Sequence, residues 1–230
     1  MEKNVEYAKI IEFNGLPGTG KSTIADCLSR IATEKGITVY DSYGRNSITS
    51  KLISPLLEIS SYRYIPRLLS LGRLCELNKV RIGQILRFLS YVNCYREFEM
   101  EKRDSALLIL DEGIVQSLVS IAYLESFKGK EKDLTELFTQ LKKSGIKWYQ
   151  VNCINEPKLS FDRIIGRGSN LGRFDQMKNE ELINALKLQI ESFDIVRDVT
   201  KKSGVIIDSL DIDTSLNPEK NAELIYKRII

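Results

Sequence analysis

The most specific chemistry in the chain lies near its amino end. Gly15-Leu16-Pro17-Gly18-Thr19-Gly20-Lys21-Ser22-Thr23 satisfies the pattern G-x-x-x-x-G-K-[ST], a phosphate-binding loop. Glycines let a backbone curl until successive N–H groups point inward, so Gly15 to Thr23 would close around phosphate oxygens. The partial positive charge of the helix that follows adds to the attraction. Lys21 would bridge the β- and γ-phosphates of a nucleoside triphosphate, and the Ser22 hydroxyl would bind Mg²⁺. ATP and Mg²⁺ are therefore the expected cofactors.

Carboxylates supply the rest of the candidate chemistry, because the chain contains no histidine. That absence removes every mechanism built on an imidazole and leaves Asp, Glu, Tyr, Lys or water to accept protons. Asp111 follows the apolar run Ala106–Leu110 and precedes Glu112 and Gly113. An acidic residue at that place suits a second Mg²⁺ contact, or it caps the helix that starts near Gly113. Glu112 can align a water, bind a substrate hydroxyl or cap the same helix. Asp41, at the end of another apolar run, is a further candidate carboxylate, with a turn or cap role as the alternative.

These side chains need a scaffold. Five apolar runs read as strands, over Ala8–Asn14, Ile37–Tyr43, Ala106–Leu110, Lys147–Asn152 and Gly204–Asp208. Ala106–Leu110 lacks alternation, as a parallel strand buried on both faces should. Helical patterns lie between the runs, over Lys21–Lys35, Asn179–Lys202 and from Pro218 onward with Asn217 as N-cap. Alternating strands and helices imply an α/β fold, a five-stranded parallel sheet between two helical layers, as a single domain over 1–230. The stretch of about 45–104 is longer than an ordinary crossover. It reads as a helical insertion, with helices expected at Ile65–Leu77 and Ile82–Met100.

Gly15–Thr23, Asp111-Glu112-Gly113 and an Arg-bearing segment after the fourth strand resemble the P-loop kinases of the nucleoside and nucleoside-monophosphate type, thymidylate kinase and the deoxynucleoside kinases in particular. The layout covers nearly the whole chain. The resemblance implies a helical insertion that binds the phosphoryl acceptor and a mobile lid over about 163–177. Gly166, Gly168 and Gly172 would let that segment close. By similarity Arg163 packs on the nucleotide base, and Arg167 and Arg173 reach phosphates, where charge spreads during transfer. An exposed basic loop is the alternative. In deoxynucleoside kinases an acidic residue at the place of Asp41 takes the acceptor's hydroxyl proton. The chain departs from both families after its third strand, where Asp111-Glu112 replaces Asp-Arg or Glu-Arg-Ser. It departs again after the second, where Tyr43-Gly44-Arg45 stands in place of the acceptor-reading motif.

Arg45 opens a basic segment. From Arg45 to Arg87 eight basic residues face Glu58 and Glu76, a local charge of +6 by 8 − 2, with Tyr62 and Tyr64 among them. Such a segment suits an anionic, ring-bearing acceptor such as a nucleotide, or it is the solvated face of amphipathic helices. The expected activity is transfer of the γ-phosphoryl of ATP to a small molecule, a nucleoside or nucleotide. A P-loop ATPase or switch acting on a protein partner and a nucleic-acid-end kinase are the competing readings. No N-K-x-D guanine signature follows the fourth strand. The net charge of +3 is too small to argue for nucleic acid. No apolar run reaches the roughly 18 residues of a membrane span. The polar amino end lacks the features of a signal peptide, and Cys27, Cys75, Cys94 and Cys153 read as reduced, mostly buried thiols. A cytoplasmic enzyme is expected, and a homodimer is left open.

Overall fold

Every residue of Ala106–Leu110 is buried, and that strand (β3) pairs in parallel on both sides. The computed structural model describes residues 8–41, 79–100, 106–122, 125–143, 145, 147–167 and 174–230. Around β3 lie β1 (Lys9–Gly15), β2 (Thr38–Asp41), β4 (Trp148–Ile154) and β5 (Ile206–Asp213) in the order β2-β3-β1-β4-β5, all parallel. The described helices are α1 (Lys21–Glu34), α2 (Lys79–Met100), α3 (Ile114–Ala122), α4 (Glu131–Lys143), α5 (Pro157–Gly166), α6 (Asn179–Ser203) and α7 (Pro218–Ile229). The expected α/β architecture is present.

Alternation along β1 divides the core. Ile11 and Phe13 face a layer of Leu28 and Ala32 from α1 and Ile225 and Ile229 from α7. Ile10 faces the opposite layer, which holds Phe88 and Tyr95 of α2, Leu118 of α3, Phe138 of α4 and Trp148. Sheet and helices thus form three layers, the arrangement that buries a parallel sheet on both sides. In α2 the residues Ile85, Phe88, Leu89, Val92, Tyr95 and Phe98 recur at helical spacing and all are buried. The carboxyl-terminal helix of the expected insertion is therefore part of the main core and packs on α3. The expected helix at Ile65–Leu77 lies outside the described residues.

Two strands run two or more residues past their expected carboxyl ends. β4 continues two residues further, to Ile154. β5 runs to Asp213, five residues beyond the expected end. Asp208, Asp211 and Asp213 obscure this strand in the sequence. β5 is at the sheet's edge, so their carboxylates stay wholly or partly in solvent while Ile212 turns inward. Helix α7 starts as expected: Asn217 Oδ1 accepts from the amides of Glu219 at 2.8 Å and Lys220 at 3.4 Å.

Phe88 is 0% exposed. Phe88→Ala should cost about 3–5 kcal/mol, read as a lowered midpoint in chemical denaturation. An unchanged midpoint would remove α2 from the core.

Candidate active site

β1 delivers Gly15 to the top of the sheet beside Cys153 of β4. The approach is so close that a Cβ on Gly15 would come within 2.5 Å of the Cys153 carbonyl oxygen, and its φ of 150° favours glycine as well. The Gly15 amide donates to Gln116 Oε1 of α3 at 3.3 Å. Thr19 Oγ1 closes the turn on the Leu16 carbonyl at 2.9 Å. Helix α1 then starts at Lys21, with the Ile24 amide bonded to the Gly20 carbonyl at 3.1 Å.

Lys21 is 8% exposed and its Nζ donates to the carbonyls of Gly15 and Leu16, both at 2.9 Å. Burial lowers the pKa of this ammonium, while Cys153, Glu112 and Asp111 act to raise it and Arg167 to lower it. Lys21 thus rests on its own loop, with anionic side chains near it. Burial pushes the Cys153 thiol up to about 12.

Ser22 Oγ, one residue further, donates to Asp111 Oδ2 at 2.6 Å. The register sets the geometry: β3 ends at Leu110, opposite Glu12, and β1 runs three residues further, to Gly15, before the loop leads back to Ser22 at the start of α1. Hydroxyl and carboxylate oxygens are the ligands that Mg²⁺ prefers, so the pair fits the expected ion. No group of three or more His, Cys, Asp or Glu side chains among the described residues could hold a metal unaided. An ion at Ser22 and Asp111 would complete its shell with phosphate oxygens and water. Glu112 Oε2 accepts from Arg87 of α2 at 3.2 Å, a half-exposed pair worth about 0–1 kcal/mol. The backbone of Asp41 ends β2 opposite Ile109, on the neighbouring strand to Asp111.

Arg163 of α5 ties the loop to the far end of the sheet. Its guanidinium donates to the carbonyls of Gly18 at 3.1 Å, Thr19 at 3.3 Å and Thr214 at 3.3 Å. It borders a cleft of about 660 Å³ between Gly18–Thr23 and the Thr214–Pro218 turn. Arg167 caps the same helix, lines the cleft and is exposed. Thr23 lines it as well, whereas Pro17 does not. Arg45 and Arg173 lie outside the described residues, as does the middle of the lid, 168–173. Of the cysteines, Cys153 is buried and Cys27 and Cys94 are half-buried, all as free thiols; Cys75 lies outside the described residues.

Sequence reasoning missed Glu12. Its side chain is 0% exposed inside β1. Tyr95 Oη donates to Glu12 Oε2 at 2.6 Å, and the amides of Val115 and Gln116 donate to Oε1 at 2.7 and 3.4 Å. The carboxyl thus caps α3 from another strand. Gly113 is required here, because a Cβ would collide with the Glu12 carboxyl and come within 2.6 Å of the Tyr95 hydroxyl. Burial raises the Glu12 pKa from 4.5 to about 7, against the bonds from Tyr95 and the α3 amides. The one signal in the sequence is a glutamate within the apolar run Ile10-Ile11-Glu12-Phe13.

No known family profile matches the sequence, and no curated protein sequence matches it. Solved structures do. Deoxyadenosine kinase from M. mycoides with bound dATP superposes with a TM-score of 0.53 at 13% identity, over 96% of this chain and 98% of that one. The same enzyme with bound dCTP gives 0.50 at 14% identity over the same shares. The fold is that of the P-loop kinases. Shikimate kinase from Acinetobacter baumannii in complex with shikimate is also similar, at a TM-score of 0.48 and 15% identity, over 99% of this chain and 96% of that one.

The raised pKa of Glu12 has a sign. Between about 4.5 and 7 the folded chain binds a proton that the unfolded chain releases, so this group's contribution to stability is full at acid pH and is lost as pH rises through about 7. Glu12→Gln removes that loss. Relative to wild type, the variant should gain stability by up to about 3 kcal/mol between pH 5 and 8. Parallel stability curves across that range would show that Glu12 does not titrate there.

Proposed function

We propose that the chain is an ATP- and Mg²⁺-dependent phosphotransferase that moves the γ-phosphoryl group to a small-molecule acceptor, a nucleoside or nucleotide. The observation that carries this reading is the 2.6 Å contact between Ser22 and Asp111 at the mouth of a formed phosphate loop. It unites a hydroxyl from the first turn of α1 and a carboxylate from the end of β3, as nucleotide-bound Mg²⁺ requires. When bound, the ion neutralises charge on the β- and γ-phosphate oxygens.

The chain's own residues do the rest. Lys21 leaves the carbonyls of Gly15 and Leu16 and donates to phosphate oxygens, exchanging neutral acceptors for charged ones. The cleft beside Arg163 and the Thr214–Pro218 turn would take the base of ATP. Arg167, whose charge already acts on Lys21, and Arg173 stabilise the transferring group. Asp41 accepts the proton of the acceptor hydroxyl, and Arg45 and Glu112 contact the acceptor. Thymidylate and deoxynucleoside kinases offer the nearest resemblance in motif, and the fold is shared with a kinase seen with dATP and dCTP. The competing ATPase reading needs Glu112, half-exposed and paired with Arg87, to orient water instead. Free Cys27, Cys94 and Cys153 fit a cytoplasmic enzyme.

A panel of nucleosides, nucleotides and sugars incubated with ATP and Mg²⁺, reading ADP and phosphorylated product together, tests the proposal. A nucleoside or nucleotide should accelerate ADP formation with matching product. Phosphate release at one rate with or without every acceptor would instead identify an ATPase. Lys21→Ala should lower kcat by about 10²–10³-fold with the fold intact by circular dichroism. Arg167→Ala should lower kcat more than it weakens ATP binding; equal losses would limit Arg167 to ground-state binding.

A further inference from the structure

Three elements of the candidate site meet at one buried side chain. Glu12 belongs to β1, which carries the phosphate loop. Its carboxyl accepts from Val115 and Gln116 at the start of α3, immediately after the Asp111–Gly113 turn. It also accepts from Tyr95 of α2, the helix whose Arg87 holds Glu112. Gln116 returns to the loop by accepting from the Gly15 amide. The turn that presents Asp111 is thereby closed against the strand that leads into the loop before Ser22. Gly113 has no side chain, so the carboxyl packs directly against the turn's backbone.

We propose that Glu12 is a positioning residue for metal-nucleotide binding: through the α3 amides, Gly113 and Tyr95 it fixes the Asp111 turn and so the meeting of Asp111 with Ser22. Glu12 is fully buried and cannot touch nucleotide or acceptor. It acts as outer-shell partners of metal ligands do, by holding the group that holds the ion. The charged carboxylate accepts from all three donors at once. A protonated carboxyl must place its own O–H against one of them, which loosens the clamp. Among the groups acting on Glu12 only Tyr95 titrates, and α3 contributes backbone amides alone. On Tyr95 itself the charged neighbours are Glu12 and Cys94.

This inference rests on the proposed nucleotide site, and the test separates the two. ATP binding by the full chain is measured by calorimetry with Mg²⁺ and again with EDTA, from pH 6 to 8. Wild type should bind ATP more tightly with Mg²⁺, and Glu12→Gln should lose about tenfold of that Mg²⁺-dependent gain at pH 8 while matching wild type in EDTA. The difference should close towards pH 6, where the wild-type carboxyl is itself neutral. Comparing variant with wild type at each pH cancels the titration of ATP's own terminal phosphate. Tyr95→Phe removes one donor to the carboxylate and should move the wild-type pH midpoint upward. It also decides the matter if Glu12→Gln fails to fold. A Mg²⁺-dependent gain unaltered in folded Glu12→Gln, or an unmoved midpoint in Tyr95→Phe, overturns the positioning role and leaves the nucleotide site standing. No ATP binding by wild type overturns the nucleotide site, and the positioning role with it.

Discussion

The parallel register of β1 and β3 is the constraint on which the site depends. Glu12 lies beside Leu110, so β3 turns into Asp111 while β1 runs three residues further, to Gly15, before it turns into the phosphate loop. A slip of one residue would reverse every inward and outward side chain of a strand buried on both faces, so the apolar packing of both layers holds the register. Ser22 reaches Asp111 only because Ile11, Phe13, Leu108 and Leu110 already fill their places. Core and chemistry are therefore set by one alignment.

Much of this was legible because it is local. Gly15–Thr23 announces its loop through glycine and lysine spacing. Asn217-Pro218 announces the start of α7, and the unbroken apolar run Ala106–Leu110 announces a central strand. Asp111 was readable from its place after such a strand. The rest depends on partners far away in sequence. Glu12 reads as an oddity in an apolar run until Tyr95 and the α3 amides appear around it. Nothing near Arg87 or Glu112 indicates that they pair across two elements. β5 was shortened in the reading because edge strands tolerate carboxylates that a central strand would exclude, and Asp208, Asp211 and Asp213 interrupt its apolar signal.

Carbonyls of the loop itself accept from the cations around it. Lys21 is desolvated, yet two carbonyls accept from it and Asp111 and Glu112 act on it electrostatically. Arg163 similarly spends its donors on backbone carbonyls of the loop and of Thr214. Without those acceptors the desolvated donors would lie unpaired. Carbonyl acceptors hold them in place and are readily exchanged, since an anionic oxygen accepts more strongly.

The burial of Cys153 has a chemical consequence for the loop it supports. Oxidants and alkylating reagents attack thiolates, and a thiol pushed up to about 12 supplies almost none near neutrality. The sulfur beside the phosphate cradle is therefore inert near neutral pH. Damage of that kind would leave the strand beneath Gly15 chemically intact.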